Sequence, residues 1–133
     1  MKVLTSEQIK EADKHTILNE PITSIDLMER AAEKCCEFFP PVGKWNHLVV
    51  VCGTGNNGGD GLAIARLLHS NYKSVRVLVL ESSWKYSDDF KINLQRFKDE
   101  NGNVQVVKEA DDIFIREDEL VVDAILGTGL KGP

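Results

Sequence analysis

Two short stretches of the chain concentrate residues able to do chemistry. In Cys52-Gly53-Thr54-Gly55-Asn56-Asn57-Gly58-Gly59-Asp60-Gly61, the glycines at 53, 55 and 58 satisfy G-x-G-x-x-G. Between a strand and a helix, that spacing suits a tight turn, close backbone approach to a phosphate, and helix-start amides aimed at an anion. Without such flanks it is a plain flexible connection. The side-chain carbonyls of Asn56 and Asn57 add oxygen donors that can coordinate a hard cation or hold a ribose and an amide. Asp60 is expected near the start of the following helix, capping it and complementing its dipole, although its charge works against a bound phosphate. Glu81 ends the next apolar run, where a ribose-binding carboxylate would stand, but it lies 28 positions beyond Gly53. A dehydrogenase fingerprint places that carboxylate about 20 residues on, so Glu81 reads more simply as a surface residue at a strand end.

The second stretch is Leu120-Val121-Val122-Asp123-Ala124-Ile125-Leu126. Asp123 is expected to be buried there, and an unpaired buried carboxylate costs several kcal/mol. It therefore needs a partner, or it reaches the crevice at the carboxyl end of its strand, where open α/β sheets bind ligands. A role tying down neighbouring loop amides is compatible with either. Gly127-Thr128-Gly129-Leu130-Lys131-Gly132-Pro133 follows as a second glycine-rich loop. Two such loops around Asp123 would wall a nucleotide-sized cleft. Lys131 would meet a phosphate there or simply be solvated. His15, His47 and His69 show no metal-ligand spacing with a cysteine or with one another. Cys35 and Cys36 read as core or semi-buried helix residues, Trp45 and Trp84 as packing over sheet ends. No Ser-His-Asp or Cys-His constellation is readable.

The elements that must position these loops follow from periodicity. Before about position 45 the chain reads helical. Thr5 or Ser6 can cap one helix, with Ile9, Ala12, Asp13 and Ile17 at helical spacing. Ser24 opens another, whose stripe is Ile25, Met28, Ala31, Ala32, Cys35 and Phe39, and Pro40-Pro41 stops it. After position 45 strands and helices alternate. Leu48 to Cys52 is a continuous apolar strand, followed by the glycine loop and a helix over Leu62 to Leu68. Val75 to Leu80 is a second strand. Ser87 caps a helix lined by Phe90, Leu94 and Phe97. Asn101-Gly102-Asn103 turns into a strand at Val104 to Val107, then a weak helix near Asp111 to Ile115 precedes a fourth strand at Leu120 to Leu126. This order predicts a doubly wound α/β domain with a parallel sheet and two helices at its amino end. With strand order 3-2-1-4, the apolar residues Val121, Val122, Ile125 and Leu126 would lie on an exposed edge. The chain is therefore expected to be the first part of a longer domain.

Composition bounds the function. The 133 residues fit one domain, 1–133, large enough to fold without a disulfide or metal staple. A net charge of −5 argues against a broad nucleic-acid surface. No apolar run approaches the roughly 20 residues of a membrane span. The amino end lacks the apolar core of a secretory signal. Three cysteines without CxxC spacing point to a reducing, cytoplasmic setting.

Together, Gly53-Thr54-Gly55-Asn56-Asn57-Gly58-Gly59-Asp60-Gly61-Leu62 and Asp123-Ala124-Ile125-Leu126-Gly127-Thr128-Gly129-Leu130 resemble the two signature loops of the NAD(P)H-hydrate epimerases, the YjeF amino-terminal-domain family. Leu27-Met28-Glu29-Arg30-Ala31-Ala32 is similar to that family's second-helix motif, with Ala32 where a glycine is often found. The similarity runs from Thr5 to Pro133. It implies a Rossmann-like fold, commonly a homodimer, that interconverts the R and S forms of NADHX and NADPHX so that a dehydratase, fused downstream or separate, can repair the S form. It further implies that Asn56, Asn57, Gly58, Gly59 and Asp60, with Gly127, Thr128, Gly129, Leu130, Lys131, Gly132 and Pro133, bind substrate. Asn57 and Asp123 match ligands of a potassium ion, and the family's remaining contacts come from a later Asp and Ser. Asp123 would be the catalytic residue, as base or electrostatic stabiliser. The competing readings are a non-catalytic nucleotide-binding or scaffold module of the same fold, and an ordinary NAD-dependent dehydrogenase.

Overall fold

The computed structural model describes residues 23–40, 45–81 and 85–125. The helix expected from Thr5 onward and the loop 127–133 lie outside these residues. The first described element, α1 (Ser24–Cys36), is capped by Thr23, whose hydroxyl accepts from the Asp26 amide at 3.3 Å. It buries Leu27, Met28, Ala31, Ala32 and Cys35, as its stripe predicts. It ends before the prolines. Phe38 and Phe39 donate to the carbonyls three residues back, a tightened last turn that closes the helix at Cys36.

Then β1 (His47–Cys52), α2 (Asn56–Leu68), β2 (Ser74–Leu80), α3 (Asp88–Asp99), β3 (Asn103–Val107) and β4 (Glu119–Ala124) follow. The strands form one parallel sheet in the order β3-β2-β1-β4. The chain winds outward from β1 through β2 to β3, then returns to pair β4 on the other side of β1. Ser87 caps α3 as expected, its hydroxyl accepting from the Phe90 amide at 3.1 Å. Asn101 ends that helical region at φ 60°, the left-handed conformation that asparagine tolerates better than most residues. The return from β3 carries only a 3-10 turn, Ala110–Asp112, instead of the helix expected near 111–115. Its acidic, glycine-free run offers too few apolar positions to pay for a longer helix.

Strand alternation sorts the core. Leu48, Val50, Cys52, Leu120, Val122 and Ala124 join Leu62, Ile64, Phe90 and Phe97 on the helical face. Val49, Val51, Leu78, Val107 and Val121 form a second cluster, against which Ile113 packs. The expectation of exposed apolar side chains on the edge strand is corrected here. β4 is at the sheet edge, but Val121 and Val122 are only 8% and 1% exposed and Ile125 is half-buried, while Leu126 lies outside the described residues.

Candidate functional site at the carboxyl edge of the sheet

The glycine loop leaves β1 at Gly53, whose amide donates to the Ala124 carbonyl at 3.0 Å. That bond joins the carboxyl ends of β1 and β4. These are the two strands between which the winding reverses, the usual ligand crevice of an open α/β sheet. Thr54 is buried, and its carbonyl accepts from the Ser87 amide at 3.0 Å, tying the loop to the start of α3.

Helix α2 begins six residues earlier than its apolar spacing suggests. Gly55 is its N-cap, in extended conformation and without a side-chain cap bond, so Asn56, Asn57, Gly58, Gly59 and Asp60 all lie within the helix. Glycine and asparagine are poor helix formers, but packing overrides propensity here. A Cβ on Gly58 would stand 1.8 Å from the Gly53 carbonyl oxygen. One on Gly61 would stand 2.6 Å from the Ala124 Cβ and 3.0 Å from the Cys52 Sγ. Only glycine lets the first two turns lie this close to their own loop and to the sheet. At Gly55, by contrast, nothing among the described residues lies within 4 Å of an added Cβ. The first turn of α2 holds no acidic side chain, leaving early amide groups and the positive end of the dipole for an anion.

Asp60 is not the cap. It sits one turn into α2, 6% exposed, beside Cys52. Burial first, and the Asp60 charge second, push the Cys52 thiol up. Burial also pushes Cys36 up to about 12, helped by Cys35, Glu29 and Glu33. Neither cysteine is poised as a thiolate nucleophile.

Asp123 is the larger correction. It is exposed, and its register partner on β1 is Val51, which places it on the sheet face away from α2. An edge strand leaves room for a charge beside one neighbour, where a central strand would not. The Asp123 Oδ1 accepts from the Ile125 amide at 3.1 Å, an Asx-type turn that shapes the exit from β4. Its other oxygen has no protein partner among the described residues. The fold thus puts 53–57 and Asp123 at the same carboxyl end of the sheet, with Asp60 buried in α2 on one face and the Asp123 side chain on the other. The second loop of seven candidate residues lies outside the described part. Asn57 and Asp123 offer oxygen donors only, the set a hard cation takes.

The amino edge holds charges that sequence reading missed. Glu119, its side chain fully buried, accepts two bonds from Arg76, from Nε at 2.6 Å and Nη2 at 2.7 Å, and one from the Arg116 amide at 2.8 Å. Arg76 also donates to the Phe114 carbonyl. Burial alone would raise the Glu119 carboxyl, but these bonds and the two guanidinium charges hold it below the usual carboxylate range. The signal was present: Val75-Arg76-Val77 puts a cation inside an otherwise apolar strand, which demands an anion. A Ser-His-Asp arrangement, also unread in the sequence, sits close by. His47 Nδ1 is 2.8 Å from Ser74 Oγ, and its Nε2 is 3.5 Å from Asp118 Oδ2. The amides of Lys73 and Ser74 both donate to the Asn46 carbonyl, so they are not free to hold an oxyanion, and the trio serves to tie three strand starts together.

Residues 24–133 match the family described as YjeF-related protein N-terminus. The chain belongs to that family. This YjeF-related chain is 37% identical over 136 residues to the NAD(P)H-hydrate epimerase of Anaerococcus prevotii, covering 98% of itself and 62% of that protein. It is 39% identical over 140 residues to the bifunctional NAD(P)H-hydrate repair enzyme Nnr of Dictyoglomus turgidum, covering 26% of it. The crystal structure of yeast ynu0 superimposes with a TM-score of 0.68 at 30% identity, over 100% of this chain and 60% of that one. The YjeF-related chain thus spans about three-fifths of the length of the Anaerococcus epimerase and the yeast protein.

Proposed function

We propose that the chain acts as an NAD(P)H-hydrate epimerase, interconverting the R and S forms of NADHX and NADPHX. Relatives named for that activity support the reading, and one structural observation carries it to particular residues. An exposed carboxylate, Asp123, stands at the carboxyl end of β4 on the sheet face away from α2, and the next residue, Ala124, accepts from the Gly53 amide of the glycine loop. In this reading Asn56 to Asp60 and Gly127 to Pro133 form the substrate-binding loops, with buried Asp60 supporting the first from behind. Asn57 and Asp123 hold a potassium ion, for which their oxygens are the right donor type. Such an ion, when bound, keeps the neighbouring carboxylate ionised.

The reacting carbon bears a hydroxyl and the ring nitrogen. Its C–O bond breaks as a proton reaches the departing oxygen, and the nitrogen lone pair leaves a cationic iminium. Water then adds to the opposite face and gives up a proton. A carboxylate suits two parts of this sequence, stabilising the cation and taking the proton from incoming water. Both parts use the carboxylate form. We assign it as base or stabiliser in the direction of water addition; in the reverse direction the same carboxyl returns that proton to the departing hydroxyl.

The experiment is to follow exchange between the chromatographically separated R and S forms. Asp123→Ala is expected to slow exchange by about 10²–10⁴-fold, with the thermal unfolding midpoint nearly unmoved. Unchanged exchange would remove the role from Asp123. A second reading, a binding module without turnover, is favoured by one observation. Because Asp123 is exposed, no burial cost demands a catalytic explanation for it. That reading predicts tight binding of hydrated cofactor with no interconversion in the wild-type protein.

The finer setting belongs to the same proposal: a cytoplasmic homodimer working beside a dehydratase. The bifunctional relative supports the linkage. The free thiols of Cys35, Cys36 and Cys52 suit a reducing compartment. No helix among the described residues is long and apolar enough to cross a membrane.

A further inference from the structure

Glu81 stands where its distance in sequence argued that it should not matter. The β1–β2 register pairs Cys52 with Val79, so Glu81 lies two residues beyond that pair on one strand, as Thr54 does on the other. It is the first residue after β2, at the carboxyl edge of the sheet and next to the strand that carries the glycine loop. The long interval from Gly53 is filled by the 13-residue α2 and the turn at 69–73. A longer connection, and not a different place in the fold, accounts for the offset. In doubly wound sheets that bind dinucleotides, a carboxylate at this place hydrogen-bonds the ribose of the adenosine half.

The side chain is also held. The Glu81 amide donates to the Val107 carbonyl at 2.9 Å, which fixes its backbone against β3. The Tyr86 hydroxyl donates to Glu81 Oε2 at 3.1 Å, and the Tyr86 ring packs edge-on against Phe90, centroids 5.0 Å apart. Burial, then the bond to Glu81, raises the Tyr86 phenol, so it stays protonated as the donor. Oε1 has no protein partner among the described residues, and Glu81 is exposed. Lys85 and Lys108, which flank this corner in sequence, are exposed and make no ion pair with it.

We propose that Glu81, oriented by Tyr86, accepts the hydroxyls of the adenosine ribose and makes the protein favour hydrated NADH over hydrated NADPH. A ribose offers two donors to a carboxylate. A 2′-phosphate removes one of them and brings like charge against it, which disfavours binding. The substrate names rest on the epimerase reading, whereas the subsite rests on the fold alone.

Two measurements separate these claims. Calorimetry with 5′-AMP and adenosine 2′,5′-bisphosphate reads the subsite without turnover, and kcat/KM for NADHX and NADPHX reads it during reaction. The wild-type protein should favour the unphosphorylated ligand by about tenfold or more in both assays. Glu81→Gln should bring the ratio to within about twofold, chiefly through KM, because the repulsive charge is gone. Tyr86→Phe should fall between, since the carboxylate remains but loses its orienting donor. Equal wild-type affinity for the two adenosine ligands, or a ratio indifferent to Glu81→Gln, overturns the subsite. If neither hydrated cofactor is turned over while the AMP preference persists and depends on Glu81, the subsite stands and the epimerase reading falls.

Discussion

The two edges of one sheet use charge in opposite ways. At the amino edge, Arg76 and Arg116 both pair with Glu119, and His47 joins Ser74 to Asp118. Glu119 and Arg76 are consumed by the fold, pinning the return from β3 to the start of β4, while Arg116 and Asp118 support them from the surface. At the carboxyl edge, Asp123 and Glu81 are exposed, and each spends one oxygen on a neighbouring donor. The remaining oxygens have no protein partner among the described residues, at the same end of the sheet as the start of α2. A charge whose every bond is made inside the protein is architecture. One that keeps an oxygen for solvent is available to a ligand.

The comparison can be broken first at its most consumed charge. Glu119→Ala should destabilise the protein by about 3–5 kcal/mol, because the Arg76 guanidinium would remain largely buried without its carboxylate. Chemical denaturation measures this, and a loss near zero would mean the amino-edge pairs are incidental. Next comes the loop itself. Gly58→Ala should cost about 3 kcal/mol or more, since its methyl would collide with the Gly53 carbonyl, which is backbone and cannot swing aside. Gly55→Ala, with no described residue within 4 Å of the added methyl, should cost under about 1 kcal/mol. Equal effects at the two positions would contradict the packing described for α2.

A pH series sharpens the contrast further. The folded-state pKa of Glu119 lies below its unfolded value, so its stabilising share is full above the ordinary carboxylate range, about pH 4.3, and drains away as pH falls through the folded value. Wild-type stability should therefore fall more steeply below that range than stability of Glu119→Gln. Parallel curves would remove the linkage. The smallest effect belongs to the other edge. Asp123→Asn retains an acceptor for the Ile125 amide, so stability should change by less than about 0.5 kcal/mol. A larger loss would class Asp123 with Glu119, as architecture.

Sequence legibility followed the same division. The strands themselves, the Ser87 cap and the burial of Phe90 and Phe97 follow from alternation and periodicity, which are local patterns, whereas the strand order entered only as the usual winding of such a sheet. The start of α2 was not legible, because glycines and asparagines read as loop unless one knows what packs against them. The exposure of Asp123 was hidden for a related reason. A run such as Leu120 to Leu126 looks buried on both faces, and even with the strand placed at the sheet edge the sequence does not show what covers each face. Glu119 was missed because its partner Arg76 is 43 residues away. Glu81 was discounted by an interval that counts residues and not turns of structure.

The glycines of α2 have a thermodynamic consequence. A helix seated this tightly on its sheet and loop cannot tilt or slide to greet a visitor, so its leading amides are aimed before anything arrives. Little ordering entropy is then left to lose on occupancy. Capture at this edge should proceed as a single-step encounter, with the heat of binding set chiefly by water leaving the two surfaces.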